Sequence, residues 1–184
     1  KKFICKTEDK IEMKTKKNLP ATDPLEILIV EDSPTQAIQI KIFLEKHHYR
    51  VTVAQNGKDA MDCLSEYTPS LVISDIIMPE MNGYELCKEI KSKKRTFDIP
   101  VILLTSLSDP EEIIKGLSCR ANSFITKPFN ELFLLSNIER ILSEKNSKAF
   151  KKVTAGTEIL YKGEKHIIYT EQQDVIKLLI NVYE

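Results

Sequence analysis

Five residues carry groups that could do chemistry together: Glu31, Asp32, Asp75, Thr105 and Lys127. Each stands at the end of a short run of strand-forming residues. Glu31-Asp32 follows Ile27 to Val30, Asp75 follows Leu71 to Ser74, Thr105 closes Val101 to Thr105, and Lys127 follows Ser123 to Thr126. Carboxylates brought close together raise one another's pKa unless a cation compensates. Hard oxygen ligands at a partly open site suit Mg²⁺. With a hydroxyl and an ammonium added, the set contains the parts that phosphoryl transfer needs. A metal and a lysine neutralise charge on the transferring oxygens, and a carboxylate nucleophile gives an acyl phosphate. Singly, each residue says little. An acid at a strand end is more often a helix cap or a turn residue, and a lone Lys-Pro is usually a loop. The weight lies in five suitable types at successive strand ends.

The elements that would position them are regular from Leu25 onward. Apolar runs at Glu26 to Val30, Arg50 to Ala54, Leu71 to Ser74, Val101 to Thr105 and Ser123 to Thr126 read as strands. Three are almost continuously apolar, as expected of strands buried on both faces. Amphipathic stretches lie between and after them. Ser33-Pro34-Thr35-Gln36 reads as a capping-box start, with Ser at the N-cap, Pro at the first helical position and Gln three residues on. Ala37, Ile40, Phe43 and Leu44 follow on one face. Asn56-Gly57 opens a second helix with Ala60, Met61 and Leu64, and Tyr84 to Ser92 is a third with Leu86, Cys87 and Ile90. Asp109-Pro110 starts a fourth with Ile113, Ile114 and Leu117. Asn130 starts a fifth with Leu134, Ile138, Ile141 and Leu142. Five such βα units predict an α/β, doubly wound parallel sheet with helices on both faces.

The 184 residues carry 27 basic and 27 acidic side chains, with 42% apolar residues. That length accommodates one ordinary domain with a smaller appendage. Residues 1–24 sum to +3, residues 25–145 to −4 and residues 146–184 to +1. No segment has the basic excess of a nucleic-acid binder, and Lys93-Lys94-Arg95 reads as a short solvated loop. No apolar run approaches the roughly 20 residues of a membrane span. Cys5, Cys63, Cys87 and Cys119 are widely spaced without a C-x-x-C pair, which argues against zinc or a disulfide scaffold. They read as reduced, mostly buried thiols of a cytoplasmic protein. His47 and His48, adjacent near a helix end, read as surface residues rather than ligands.

The ends differ from this middle. Residues 1–24 are Lys-rich, finish in a Pro20-to-Pro24 stretch and read as a linker or the end of an upstream element. A chain beginning with Lys is expected to be a processed or excised piece. Residues 146–184 read as a linker, a hairpin and a helix: Thr157 to Tyr161 and His166 to Thr170 flank Lys162-Gly163-Glu164-Lys165, and Gln172 to Tyr183 has helical spacing.

Residues 25–145 resemble the response-regulator receiver domain, the CheY-like family. The motifs that carry the resemblance are Ile27-Leu28-Ile29-Val30-Glu31-Asp32-Ser33, Leu71 through Asp75 to Gly83, Val101 to Ser106, and Phe124-Ile125-Thr126-Lys127-Pro128-Phe129. The resemblance implies a flavodoxin-like five-stranded sheet of order 2-1-3-4-5, an order taken from the family and not from spacing. It places the first and third strands side by side, so the three acids share one rim at the crevice where the order reverses. Asp75 would be the phosphoacceptor. Asp32, Asp75 and the backbone carbonyl of Ile77 would bind Mg²⁺, with Glu31 supporting. Lys127 would pair with a phosphoryl oxygen, Thr105 would hydrogen-bond another, and Phe124 would swing inward behind it. The Lys127–Pro128 bond would be cis. One departure is that Cys119-Arg120-Ala121 stands where the family usually has Gly before Ala, which is expected to tighten that loop.

The implied function is that of a phosphoacceptor in a two-component phosphorelay. It would take its phosphoryl group from a histidine kinase or a phosphotransfer protein and switch a protein-interaction surface. Its only catalysis would be its own aspartyl phosphorylation and dephosphorylation. The surface of the fourth helix, fifth strand and fifth helix, or the tail, is a place for homodimer contact. No nucleic-acid or membrane contact is expected. Ile77 and Leu107, bulky and apolar beside the expected phosphoryl group, would exclude attacking water and lengthen its lifetime. The tail, from Glu158 to Gly163 and Gln172 to Glu184, resembles the connector of some hybrid receiver/histidine-kinase proteins, and its unfinished helix would fit a chain cut just before a kinase core; a local hairpin–helix cap on the receiver is the alternative reading. Two other classes compete. An aspartyl phosphatase usually needs a second Asp where Ile77 stands. A phosphorylation-independent receiver-like interaction module would bind partners without Asp75 chemistry.

Overall fold

The computed structural model describes residues 24–106, 114–116, 118–146, 157–161 and 164–168. Five parallel strands make one sheet: β1 (Glu26–Val30), β2 (Arg50–Ala54), β3 (Leu71–Asp75), β4 (Val101–Thr105) and β5 (Ser123–Thr126). Their order is β2-β1-β3-β4-β5. Apolar density decides which strand sits where. β1, β3 and β4 are buried along almost their whole length, while β2 and β5, less apolar, take the edges and are partly open.

The helices cover both faces. On one, α2 (Gly57–Glu66) and α3 (Gly83–Ser92) bury Ala60, Leu64, Leu86 and Ile90 against Leu28, Val72, Val101 and Leu103. On the other, α1 (Pro34–Lys46) and the last helix (Glu131–Asn146) bury Ile40, Phe43, Leu44, Leu134, Ile138 and Ile141 against Ile27, Ile29, Ile73 and Ile102. Alternate residues of each strand therefore feed opposite cores. The apolar stripes expected of α1 and the last helix are the buried ones. Of the expected fourth helix, residues 114–116 and 118 are helical.

Three local expectations need correction. The capping box at Ser33 does not form: Ser33 caps α1 without a side-chain bond. Gln36 instead accepts a hydrogen bond from Lys127 Nζ at 2.9 Å. A charge-assisted bond outcompetes a neutral cap. A full capping box forms at α3, where Asn82 Oδ1 accepts the Glu85 N–H and Glu85 Oε2 accepts the Asn82 N–H. It starts that helix at Gly83, one residue earlier than the apolar pattern indicates. Lys93-Lys94-Arg95 is exposed, but Arg95 donates to the carbonyls of Leu64, Ser65 and Tyr67 at 2.6, 2.8 and 3.4 Å. It thus satisfies the open C-terminal end of α2.

The tail contains an antiparallel hairpin of β6 (Thr157–Tyr161) and β7 (Glu164–Ile168). Tyr161 pairs with Glu164, so Glu164 and Lys165 belong to the strand and not to the loop. A two-residue connection matches strand twist better than four. The N-terminal segment up to residue 23, Cys5, Leu107, the Asp109-Pro110 helix start and the Gln172–Tyr183 helix lie outside the described residues. Among the described residues no helix is long and apolar enough to cross a membrane.

Candidate functional site

Parallel pairing fixes where the strands' ends fall. Val30 is in register with Ser74, Asp75 with Leu104, and Thr105 with Thr126. Glu31, Asp75, Thr105 and Lys127 therefore stand on one rim, on both sides of the point where the strand order reverses. Gly83 makes this tight: its N–H donates to Ile76 O at 2.9 Å, and a Cβ there would collide with the Asp75 carbonyl oxygen.

The carboxylates of Glu31, Asp32 and Asp75 each offer an oxygen within 4.8 Å of the others. Glu31 is buried, Asp75 is half-buried and Asp32 is open to solvent. Lys127 Nζ donates to Asp75 Oδ2 at 2.8 Å, to Glu31 Oε2 at 2.9 Å and to Gln36 Oε1. The other Asp75 oxygen, Oδ1, accepts the Ile76 N–H. Burial raises the pKa of Glu31, and its hydrogen bond and charge contact with Lys127 only partly oppose this. Burial alone would depress Lys127. The hydrogen bonds and charges of Asp75 and Glu31 outweigh it and hold the ammonium above its ordinary value. Three carboxylates thus face one ammonium, which leaves negative charge for a further cation at a group of hard oxygen donors. The donor set fits a divalent ion such as Mg²⁺.

Thr105 is buried at the end of β4, and its carbonyl accepts the Lys127 N–H. Phe124 is partly buried, and its ring lies against Gly116, where a Cβ would stand 2.6 Å from Cε1. The Lys127–Pro128 bond is cis. Ile77 is 64% exposed beside the rim. Gln36 was hidden from sequence reasoning because its spacing also fits a helix cap. Arg120, at the position where the family usually has Gly, adopts φ 63. That left-handed backbone suits glycine and costs an arginine about 1 kcal/mol. Its guanidinium lies 5.9 Å from the centre of the Phe97 ring.

A sheet of this order with an acidic crevice closed by a lysine defines a receiver module of two-component signalling. The family model of the response regulator receiver domain matches residues 27–139, and the chain belongs to that family. It is 45% identical over 119 residues to histidine kinase P4 of Formosa agariphila, covering 65% of this chain and 9% of that protein. Among solved structures it is similar to the signal receiver domain of a signal transduction histidine kinase from Syntrophus aciditrophicus. The TM-score is 0.64 at 46% identity, over 72% of this chain and 98% of that one. A second is the receiver domain of a sensor histidine kinase from Pseudomonas aeruginosa, with a TM-score of 0.62 at 26% identity, over 66% of this chain and 99% of that one. That structure has a magnesium ion coordinated in its active-site cleft.

Proposed function

We propose that the chain is a phosphorylation switch in which Asp75 takes a phosphoryl group from a phosphohistidine of a histidine kinase or phosphotransfer protein. The observation that carries this reading is the Lys127 ammonium, bonded at once to Asp75 and Glu31. Each Asp75 oxygen accepts one described hydrogen bond and retains lone-pair capacity. One of them attacks phosphorus in line, the imidazole N–P bond breaks, and an acyl phosphate forms. Lys127 follows the charge onto a phosphoryl oxygen, and the Ile76 N–H keeps the carboxylate oriented. Asp32, Asp75 and the Ile77 backbone carbonyl would hold Mg²⁺, with Glu31 supporting. When bound, the ion neutralises phosphoryl oxygens during transfer.

The Thr105 hydroxyl then donates a hydrogen bond to a phosphoryl oxygen, and Phe124 moves inward behind it. The change is read on the surface around residues 114–118, β5 and the last helix. A cleft of about 510 Å³ between Gln36, Gln39, Phe43 and Lys127, Pro128, Phe129 opens beside the site. Its apolar walls, Ile40, Phe43, Pro128, Phe129 and Leu134, give a phosphodonor protein apolar surface beside Lys127.

Intact-protein mass after incubation with a small phosphodonor and Mg²⁺ tests the assignment. The expected result is one phosphoryl adduct that requires both Mg²⁺ and Asp75. Stoichiometric uptake by Asp75→Asn would overturn it. Failure of a folded chain to label with either the small donor or a cognate kinase would favour a phosphorylation-independent module.

A further inference from the structure

Two thiols outside the rim are placed against each other. Cys87 lies in α3 and Cys119 in the turn leading to β5; both are fully buried, at 0% and 1% exposure. Cys87 Sγ donates to Cys119 O at 3.1 Å, and Cys119 Sγ donates to Gly116 O at 2.9 Å. We propose that Cys87 and Cys119 are a redox modification site, which a hydroperoxide converts to a disulfide tying α3 to the turn before β5.

The surroundings make the two thiols unequal. The neighbouring Cys87 side chain lowers the pKa of Cys119 despite burial, and the nearby Lys88 charge acts in the same direction. Burial pushes Cys87 well up, against weaker pulls from Lys91 and Lys88. Cys119, in a turn, is the sulfur with backbone freedom to move, while Cys87 is held in α3; Cys119 takes the attacking role and Cys87 the resolving one. In the first step the Cys119 sulfur attacks hydrogen peroxide: an S–O bond forms, the O–O bond breaks and hydroxide leaves. In the second, Cys87 loses its proton and attacks the sulfenic sulfur. The S–S bond forms, the S–O bond breaks, and the departing hydroxide takes up the proton as water. Cys87 Sγ already lies 3.1 Å from the Cys119 carbonyl oxygen, and Cys119 sits in a turn and not within a strand or helix, so closing the bond displaces little regular structure.

The site bears on switching, a consequence that rests on the role proposed for Phe124. Cys119 bonds Gly116 through both its backbone N–H and its thiol, and the Phe124 ring lies on Gly116. A disulfide removes the thiol's bond to Gly116 and fixes the turn to α3. Movement of Phe124 past Gly116 would then be resisted while Asp75 remained untouched.

The test treats the full reduced chain with hydrogen peroxide under native conditions, then alkylates it unfolded and maps the peptides. The expected product is two hydrogens lighter, loses two of its four alkylatable cysteines, joins the Cys87 and Cys119 peptides, and reverts with dithiothreitol. Cys87→Ser and Cys119→Ser each abolish it. Cys87→Ala and Cys119→Ala serve if the hydroxyl prevents folding, and the wild-type peptide map stands without any variant. Pairing with Cys5 or Cys63, or a cross-link that forms only in the unfolded chain, overturns the proposal. Phosphoryl uptake and hydrogen exchange over residues 114–126 are then compared in oxidised and reduced chains. Equal uptake with a diminished exchange response on phosphorylation supports the coupling, and equal exchange responses overturn it. Absence of uptake in the reduced chain would count against the role of Asp75 and leave the peptide-map result standing.

Discussion

Two lysines occupy opposite ends of the same sheet and face opposite chemistry. Lys127, after β5, is 18% exposed and meets carboxylates, whose bonds and charges hold it above its ordinary pKa. Lys91, at the end of α3 near the starts of β4 and β5, is also partly buried. Its Nζ donates to Ile99 O at 2.7 Å, Asn122 Oδ1 at 3.0 Å and Phe97 O at 3.3 Å, all neutral acceptors. Desolvation lowers its pKa to about 8, with only weak help for the charge from Cys87, Asp98 and Cys119. Asn122 Oδ1 also accepts the Val101 N–H at 2.9 Å, so Lys91 fastens α3 to two strand starts. A cation among formal negative charges can follow charge onto a ligand. A cation among dipoles can only hold the chain where it is. The fold thus gathers charge at one rim and ties the other with neutral hydrogen bonds.

The largest expected effect separates the two. Lys127→Met should slow phosphoryl uptake on the order of a hundredfold or more, the scale of one lost electrostatic contact to a developing oxyanion. Lys91→Met should leave the uptake rate within about twofold, a change well under 1 kcal/mol in barrier. It should instead lower unfolding free energy by about 1–3 kcal/mol, because the Phe97 and Ile99 carbonyls lose their donor. Equal loss of uptake in both variants would break the comparison.

Stability against pH sharpens it. The unfolded chain holds the Lys91 proton up to about its ordinary 10.5, while the folded chain releases it near 8. Between these values the unfolded state binds more protons, so this group makes stability rise with pH. Lys127 has the opposite sign. Its raised pKa gives stability that is fully present below 10.5 and is lost as pH rises through the folded value. Wild type should therefore gain stability relative to Lys91→Met from pH 8 to 10, as read by denaturant titration. Relative to Lys127→Met it should show no such gain over that range.

This contrast also marks what could be read from the residues alone. Glu31, Asp75, Thr105 and Lys127 end apolar runs, and a parallel sheet forces run ends to one rim, so their convergence follows from pattern plus strand order. The order itself came from the family resemblance, because spacing cannot say whether β3 lies beside β1 or β2. Lys91 and Arg95 were not legible. Their partners are backbone carbonyls, which every residue has, so no residue type signals them. Gln36 failed for a related reason: a glutamine in a first helical turn satisfies a cap motif in sequence, and only tertiary placement beside Lys127 decides otherwise. Arg120 was visible as a departure from a glycine, but its φ 63 follows from the turn and not from its own side chain.

The rims differ in one more residue, and it carries the smallest prediction. Ile99, beside Lys91, is 2% exposed and belongs to the core, whereas Ile77, two residues after Asp75, is 64% exposed. Ile77 is thus an apolar side chain left open at a polar rim. Under the proposed function, its chemical effect would be on water. Hydrolysis of an acyl phosphate at Asp75 needs a water in line with the P–O bond, and a branched hydrocarbon beside it neither donates to nor accepts from that water. Asparagine at the same position offers both a donor and an acceptor. Ile77→Asn should therefore shorten the acyl-phosphate lifetime about tenfold, a barrier change of about 1.4 kcal/mol, with little change in stability because the side chain is mostly exposed. Decay followed by intact mass after removal of the phosphodonor measures it. A variant that decays no faster than wild type would show that Ile77 does not govern water at this rim.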